Sequence, residues 1–165
     1  FLPQLEGERA PYWDPDLRGA FLGVSRQTLL PDFARAVYEG VAFAARQALE
    51  TLKISADVDS DIISCGGGGF RSQAWTQIRA DVLNKPLQRL ASGEPGISGA
   101  VTLAAIGTGI YSNFEEASTA LSQYSAPNIP DPKQVEIYAS VFEIYKDAIK
   151  ANANIGKRLT HLGEG

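Results

Sequence analysis

The spacing of hydrophobic residues predicts helices that are separated by short extended segments. After Pro31 and Asp32, which are typical of a helix start, apolar side chains recur at helical intervals to about Thr51. Many of these apolar residues are alanines, so this helix is expected to pack closely against a sheet or another helix. Ser72 stands where the N-cap of a second helix is expected. The apolar face of that second helix is formed by Trp75, Ile78, Val82 and Leu83.

Two further helices are predicted in the second half of the chain. Residues 97–111 carry small residues on a helical pattern, which again predicts a closely packed helix. Asp131, Pro132 and Gln134 have the positions of N-cap, first-turn proline and capping-box glutamine of a last helix. The polar residues 154–165 are predicted to form a mobile tail after this helix.

The extended segments are short, and they alternate with the helices. Residues 61–65 are a β-branched apolar run between turn formers, which predicts a buried strand, and residues 86–90 predict another. Residues 1–5 and 19–24 have a weaker extended character, and residues 112–130 are a loose connection. This alternation predicts an α/β fold with right-handed crossovers onto a mainly parallel sheet. With about three or four strands, against an average of about five or six, the sheet is expected to be incomplete.

Composition and charge exclude several classes of function. The 165 residues carry a formal net charge of −4 and their basic residues are scattered, so no nucleic-acid partner is expected. No apolar stretch has the length of a membrane span and no secretory pattern opens the sequence, so no membrane partner is expected. One cysteine and no export signal favour a cytoplasmic location.

The rare residues restrict the chemistry further. The sequence has one histidine (His161), one cysteine (Cys65) and no methionine. His161 lies near the C-terminus, where an exposed tail residue is expected rather than a catalytic base. Cys65 ends a predicted strand, so we interpret it as a small packed residue rather than a nucleophile. Because the chain begins at Phe1, we expect it to be a piece of a longer product.

Common phosphate and metal motifs fail on this sequence. Gly156-Lys157 is followed by Arg158, which does not fit the phosphate-loop pattern. The dinucleotide pattern fails because Arg71 stands where its third glycine belongs. Residues 57–61 imitate the opening of a calcium loop, but the glycine and glutamate that such a loop requires do not follow.

Four consecutive glycines, Gly66–Gly69 (the glycine run), connect the predicted buried strand to the second helix. A plain turn or a flexible linker is one interpretation of this run. A ligand site is the other, because glycines let a ligand lie against the backbone and a helix start presents free N–H groups to an anion. Ligands also bind preferentially at the carboxyl ends of strands in open α/β sheets. The sequence favours a nucleotide or another anionic ligand and leaves the structural turn as the alternative.

The segment 7–15 contains a second set of candidate site groups, Glu8, Arg9 and Asp14. The favoured interpretation is a packed surface loop in which Trp13 covers core and the charged groups pair with each other. A functional role for these three side chains is the less favoured alternative.

Three stretches of sequence, taken in order, resemble one protein family. The first is Gly7-Glu8-Arg9-Ala10-Pro11-Tyr12-Trp13-Asp14-Pro15 with Arg18-Gly19-Ala20-Phe21-Leu22-Gly23. The second is Gly19-x-Phe21-x-Gly23-Val24, followed after seven residues by Asp32-Phe33-x-x-Ala36-Val37-Tyr38-Glu39. The third is Gly67-Gly68-Gly69-Phe70-Arg71-Ser72-Gln73-Ala74-Trp75, continuing through Ala80-Asp81-Val82-Leu83 to Pro86. Together they resemble the C-terminal domain of the FGGY family of carbohydrate kinases.

The resemblance implies an actin-like (ribonuclease H-like) fold of two α/β lobes, with residues 1–165 as the C-terminal, nucleotide-binding portion. ATP would bind mainly on this lobe and a sugar or polyol mainly on the N-terminal lobe. In the intact enzyme, Mg²⁺ would help to align the γ-phosphoryl group with the hydroxyl. Gly67, Gly68 and Gly69 would let the nucleotide lie on the backbone, and Ser72 would offer a polar contact. Phe70 stands where the family usually has a small residue, so the contact with the base is expected to differ.

The activity that the resemblance implies is ATP-dependent phosphorylation of a sugar or polyol hydroxyl, with this chain supplying the ATP-binding lobe. No residue of the chain is assigned as a catalytic group or a metal ligand, and the family's aspartate base is expected on the other lobe. The chain alone is therefore predicted to be inactive. A non-catalytic nucleotide-binding or interaction module of the same fold is the alternative. The incomplete sheet predicts an exposed edge and a tendency to form homo-oligomers.

Overall fold

Five α-helices and two β-strands form the regular structure of residues 1–91 and 94–162, which are the residues that the computed structural model describes. The strands are β1 (Ile63–Cys65) and β2 (Leu87–Arg89), and a short 3-10 helix covers Gly68–Phe70. The helices are α1 (Leu30–Ala56), α2 (Gln73–Leu83), α3 (Pro95–Gly107), α4 (Phe114–Leu121) and α5 (Pro132–Leu162). By their contacts, the described residues divide into a first unit (1–59, 81–84 and 131–162) and a second unit (60–80 and 85–130).

Helix α1 begins where the sequence predicts and ends later. The Asp32 carboxylate accepts the backbone N–H of Leu29 at 2.8 Å, which satisfies one of the free donors at the helix start. The helix continues beyond Thr51 to Ala56, and within it the hydroxyls of Thr51 and Ser55 donate to carbonyls one turn earlier. A left-handed residue, Asp57 (φ 52°), terminates it.

The core of the first unit is an aromatic cluster between α1 and α5. Phe43 of α1 lies with its ring centroid 5.4–5.9 Å from three rings of α5, namely those of Tyr138, Phe142 and Tyr145. Aromatic pairs at such distances contribute about 0.5–1.5 kcal/mol each beyond the area that they bury. The prediction that α1 packs closely against another helix is confirmed.

Helix α5 starts at the predicted N-cap but extends further than predicted. The Asp131 carboxylate accepts the Lys133 N–H at 2.9 Å, as an N-cap should. The backbone N–H of Asp131 donates to the carboxylate of Asp81 at 2.8 Å. Asp81 therefore takes the place of Gln134, the predicted capping-box partner. Residues 154–162, predicted as a mobile tail, continue the helix, so the predicted helix end is wrong; residues 163–165 lie outside the described residues.

The N-terminal segment explains why α5 continues. Asn152 and Gly156 of α5 are buried, and the Asn152 side chain donates to the carbonyl of Arg18 at 2.7 Å. This face of α5 packs against the main chain of residues 16–18, which small and polar side chains allow. Because the face carries no stripe of apolar residues, the hydrophobic pattern of the sequence does not predict it. Residues 1–5 and 19–24 form a single antiparallel bridge, Leu2–Ala20, in place of the predicted strands.

The second unit is built around a parallel strand pair. Strand β1 pairs with β2 in the register Ile63–Leu87, and α2 provides the crossover between them. The predicted parallel arrangement is confirmed, although β1 is only partly buried and the described sheet has two strands. The other edge of β2 is bridged in antiparallel fashion at Leu87–Asn128 and Leu90–Tyr124.

Helices α3 and α4 pack on each other and correct two predictions. Helix α3 ends at Gly107 rather than at residue 111, and its small residues Gly99 and Ala100 are exposed rather than closely packed. Helix α4 lies in the segment predicted as a loose connection, and Asn113 caps it by accepting the Glu116 N–H at 2.9 Å. None of the described helices is long and apolar enough to cross a membrane.

Replacing Gly156 with alanine is expected to destabilise the protein although the residue is inside a helix. An added Cβ would lie 2.5 Å from the carbonyl oxygen of Asp16 and 3.1 Å from the backbone nitrogen of Arg18. Overpacking of this kind costs about 1–3 kcal/mol in the free energy of unfolding. At Gly99 of α3 the same change meets nothing within 4 Å and should stabilise by about 0.5–1 kcal/mol. Denaturant unfolding of both variants measures whether each substitution lowers or raises the free energy of unfolding. A Gly156→Ala protein as stable as the parent would contradict the packing of α5.

Tyr145 should make the folded state sensitive to alkaline pH. Burial, partly offset by the hydrogen bond from Gln4, raises the pKa of this phenol from 10.0 to about 12. The stability that this shift contributes is complete below pH 10.0 and is lost as the pH rises to about 12. Unfolding free energies measured across this range should fall less steeply for Tyr145→Phe than for the parent protein. The exposed Tyr124→Phe variant serves as the control, and equal slopes for parent and Tyr145→Phe would refute the assignment.

Candidate functional site

The glycine run leaves the sheet at a fixed point and forms a hydrogen-bonded turn. The Leu90 N–H donates to the carbonyl of Cys65 at 2.8 Å, which ties the end of β1 to the residue after β2. Within the turn, Phe70 N–H donates to the carbonyl of Gly67 at 3.1 Å and Arg71 N–H to that of Gly68 at 3.2 Å. The run is therefore an ordered 3-10 turn, and the flexible-linker interpretation is wrong.

The glycines of the run have different surroundings. A Cβ at Gly67 or Gly68 would meet nothing within 4 Å, so the backbone at these two residues borders open space. Gly67 also has φ +90°, a conformation that L side chains rarely adopt. At Gly66 a Cβ would lie 2.5 Å from Pro95, and at Gly69 it would lie 3.3 Å from the Arg79 guanidinium. Of the three predicted contact glycines, Gly67 and Gly68 are open to a ligand, and Gly69 packs inward.

Ser72 lies at the start of α2, where the sequence places it. Its hydroxyl oxygen accepts the Trp75 N–H at 3.3 Å, and its carbonyl accepts the Thr76 N–H at 3.0 Å. The N-cap prediction is confirmed. Since the first N–H groups of an α-helix have no partner within the helix, the start of α2 adds donors and partial positive charge beside the glycine run.

Three arginines surround the glycine run, and sequence reasoning missed two of them. Arg71 forms an ion pair with Glu94 at 2.8 Å. Arg79 donates to the carbonyl of Gly69 at 2.9 Å, and Arg89 lies 3.4 Å from the carbonyl of Phe70. Neither Arg79 nor Arg89 pairs with a carboxylate within residues 1–91 and 94–162. In a chain with net charge −4, this is a local excess of positive charge.

A pocket of about 220 Å³ adjoins this turn. It is partly open to solvent, and its polar side chains are those of Arg71, Arg89 and Ser125. The Nε atom of Arg89 is buried and has no hydrogen-bond acceptor within the described part of the chain. The signal for Arg89 was absent from the sequence, because only the parallel register brings the end of β2 beside the end of β1.

Cys65 is a packed residue rather than a reactive one. Its thiol donates to the carbonyl of Gln88 at 3.3 Å. Burial raises the pKa of this thiol, and the nearby guanidinium groups of Arg79 and Arg89 offset that rise only in part. The thiolate, which is the nucleophilic form, is therefore disfavoured.

The second set of candidate groups, Glu8, Arg9 and Asp14, lies in the first unit. Its two carboxylates accept hydrogen bonds from backbone N–H groups. The Glu8 carboxylate accepts the Tyr12 N–H and the Asp14 carboxylate accepts the Asp16 N–H, both at 2.9 Å. The expected charge pairing is therefore replaced by turn hydrogen bonds. Trp13 is 75% exposed, so the prediction that it covers core is wrong. Arg9 lies at an exposed pocket wall with Glu8.

The remaining titratable groups offer little for catalysis or metal binding. His161 lies in the last turn of α5. It is exposed, as the sequence predicts, but it belongs to a helix and not to a tail. Across residues 1–91 and 94–162, no three His, Cys, Asp or Glu side chains are arranged to hold a metal ion. The site therefore offers backbone donors, guanidinium groups and aromatic rings, which suit the binding of an anionic or aromatic ligand.

Known proteins are similar to this chain in both sequence and fold. The profile of the FGGY family of carbohydrate kinases, C-terminal domain, matches residues 1–108. A xylulose kinase of Staphylococcus epidermidis is 36% identical over 159 residues, which is 94% of this chain and 32% of that protein. The crystal structure of a xyloylose kinase from Brucella ovis superposes with a TM-score of 0.82 at 32% identity, covering 91% of this chain and 31% of that one. A gluconate kinase from Lactobacillus acidophilus gives a TM-score of 0.78 at 31% identity, covering 92% and 30%.

These similarities confirm the fold class that the sequence predicts. The chain has the mixed α/β structure with a small sheet that is found in sugar kinases of the actin-like ATPase fold. It spans about a third of the length of the curated relatives that it matches. The matched profile covers most of the chain, including β1, the glycine run, α2, β2 and α3. The chain belongs to the FGGY family of carbohydrate kinases, within that family's C-terminal domain.

Proposed function

We propose that this chain is the ATP-binding portion of an enzyme that phosphorylates a hydroxyl group of a sugar or polyol. One observation carries the proposal: the backbone at Gly67 and Gly68 borders open space beside the start of α2. Gly67 and Gly68 let the nucleotide lie against main chain, while Ser72 contributes a hydroxyl at the helix start. Gly69 supports the turn from inside through the Arg79 guanidinium.

Charge favours a nucleotide at this position. The N–H groups at the start of α2 make the surroundings positive, as do the guanidinium groups of Arg79 and Arg89, which have no carboxylate partner among the described residues. Phe70 lines the pocket beside the same turn while its ring lies against the Arg79 guanidinium. The residues present therefore fit an anionic ligand.

The proposed role of this chain in phosphoryl transfer is positioning. Bound ATP supplies the phosphoryl group, and the residues of the glycine run hold and orient the nucleotide so that a hydroxyl can attack in line. In the described residues no three His, Cys, Asp or Glu side chains are arranged to hold a metal ion, and we derive no step through Mg²⁺. The sugar or polyol, and the base that accepts its proton, are proposed to lie on the part of the enzyme that corresponds to the remaining length of the relatives. A cytoplasmic setting, where ATP is available, belongs to the same proposal.

A non-catalytic nucleotide-binding module is the second candidate. The open backbone at Gly67 and Gly68 supports it equally, because that turn could hold a nucleotide whether or not a reaction follows. The two candidates predict the same nucleotide site and differ in turnover. Sugar-dependent ADP release by the full protein would exclude the module.

Adding a side chain at Gly68 should weaken nucleotide binding without destabilising the fold. The Cβ position there meets nothing within 4 Å, so Gly68→Val fills only the space in which we propose that the ligand lies. We expect the dissociation constant for ATP, measured by calorimetry or Trp75 fluorescence, to rise about tenfold or more, which corresponds to at least about 1.4 kcal/mol. Gly99→Val, which also adds its Cβ in open space, should leave ATP binding unchanged. Equal affinities for the two variants would place the nucleotide elsewhere.

The isolated chain is expected to have no kinase activity. A coupled ADP-release assay with ATP, Mg²⁺ and candidate sugars or polyols should give the same rate with and without the acceptor, because we propose that the base that accepts the hydroxyl proton lies on the other part of the enzyme. The matching assay on the full protein is the control. Acceptor-dependent turnover by the isolated chain above the blank would disprove the division of roles.

A further inference from the structure

Arg79 occupies an unusual position between two aromatic rings. Its guanidinium carbon lies 3.8 Å from the ring centroid of Trp75 and 4.3 Å from that of Phe70. Its Nη1 donates to the carbonyl of Gly69 at 2.9 Å, and the residue is only 8% exposed. One buried cation thus contacts both aromatic residues next to the glycine run and the main chain of the run itself.

Among the described residues, these contacts take the place of an ion pair between Arg79 and a carboxylate. Burying a guanidinium is costly unless its charge and donors are satisfied. Here the faces of Trp75 and Phe70 provide cation–π attraction, and the Gly69 carbonyl accepts one donor. Because Arg79 is anchored in the body of α2 whereas Gly69 and Phe70 belong to the 3-10 turn, the guanidinium connects the turn to the helix.

Phe70 gives this connection its significance. Its side chain lines the pocket beside Gly66 and Gly67. The backbone at Gly67 and Gly68 borders open space, so a ring without a fixed position could enter the volume that we assign to the ligand. In the structure the ring is held on the guanidinium instead.

We propose that Arg79 is a positioning residue for the nucleotide: it holds the Phe70 ring and the Gly69 carbonyl so that the space over Gly67 and Gly68 stays open. This inference rests on the proposed nucleotide site. Arg79 acts through its neighbours and is not assigned a contact with the ligand. Phe70 and Arg79 therefore form a functional pair, in which the position of the Phe70 ring depends on the Arg79 guanidinium.

The test uses the full protein with Trp13→Phe, which leaves Trp75 as the only tryptophan of this chain. In this background, Arg79→Met should raise the KM for ATP about tenfold, as expected for the loss of desolvated cation–π contacts and one hydrogen bond. The turnover number and the KM for the acceptor should change less than about twofold, a difference below 0.5 kcal/mol. The tryptophan emission of the free protein should differ between this variant and its Trp13→Phe parent, because the Trp75 indole loses the cation on its face.

Two further variants test the mechanism. Arg79→Lys keeps a cation and a donor and should recover most of the ATP affinity, and it serves as the test if Arg79→Met does not fold. In a Phe70→Ala background, Arg79→Met should cost clearly less than in the parent, because the ring that it releases is gone. Additive effects of the two substitutions on the ATP KM would overturn the coupling.

Arg46 offers a matched control in the first unit. Its guanidinium carbon lies 4.3 Å from the ring centroid of Phe142, and its Nη1 donates to the carbonyl of Val82 at 3.3 Å. Arg46→Met therefore removes a cation–π contact and a backbone hydrogen bond, together with an ion pair to Glu50 at 3.0 Å that Arg79 lacks within the described residues. We expect Arg46→Met to lower stability and to leave the KM for ATP unchanged. An Arg79→Met enzyme that resembles Arg46→Met in both respects would overturn the inference. A parent protein that fails to bind ATP would instead refute the proposed function.

Discussion

The parallel pairing of β1 with β2 is the constraint on which the candidate site depends. Parallel neighbours require a crossover, and α2 provides it, so the chain must turn sharply between the end of β1 and the start of α2. The hydrogen bond from Leu90 to Cys65 fixes where this turn begins. The glycine run makes the turn in a few residues, and its open side lies beside the start of the crossover helix.

The proposed site offers main-chain groups and guanidinium cations to a ligand. This explains how a chain with one histidine and one cysteine can belong to a kinase family. Arginine suits the inner side of the turn, because its planar guanidinium can stack between Phe70 and Trp75 and still donate to a carbonyl. The positive charge is local, since the chain as a whole is acidic.

The sequence predicted best where the determining interaction is between near neighbours. Asp32, Ser72 and Asp131 each accept a hydrogen bond from a backbone N–H within three residues, so helix starts follow from local sequence. Asn113 gives the same signal for α4, but Pro127 and Pro130 led to the prediction of a loose connection over residues 112–130. The glycine run and Ser72 were identified as a candidate site for similarly local reasons.

The sequence by itself determined the helix starts, the strand–glycine–helix order, the family and the position of the open turn. Only the tertiary structure decided the rest, because those features depend on partners far away in the chain. The end of α5 depends on Gly156 approaching the main chain near Asp16, and the aromatic core depends on α1 meeting α5. Arg89 reaches the turn only through strand register, and Arg79 is buried only because its two rings flank it. Burial and register are properties of the folded chain, and residue order alone does not specify them.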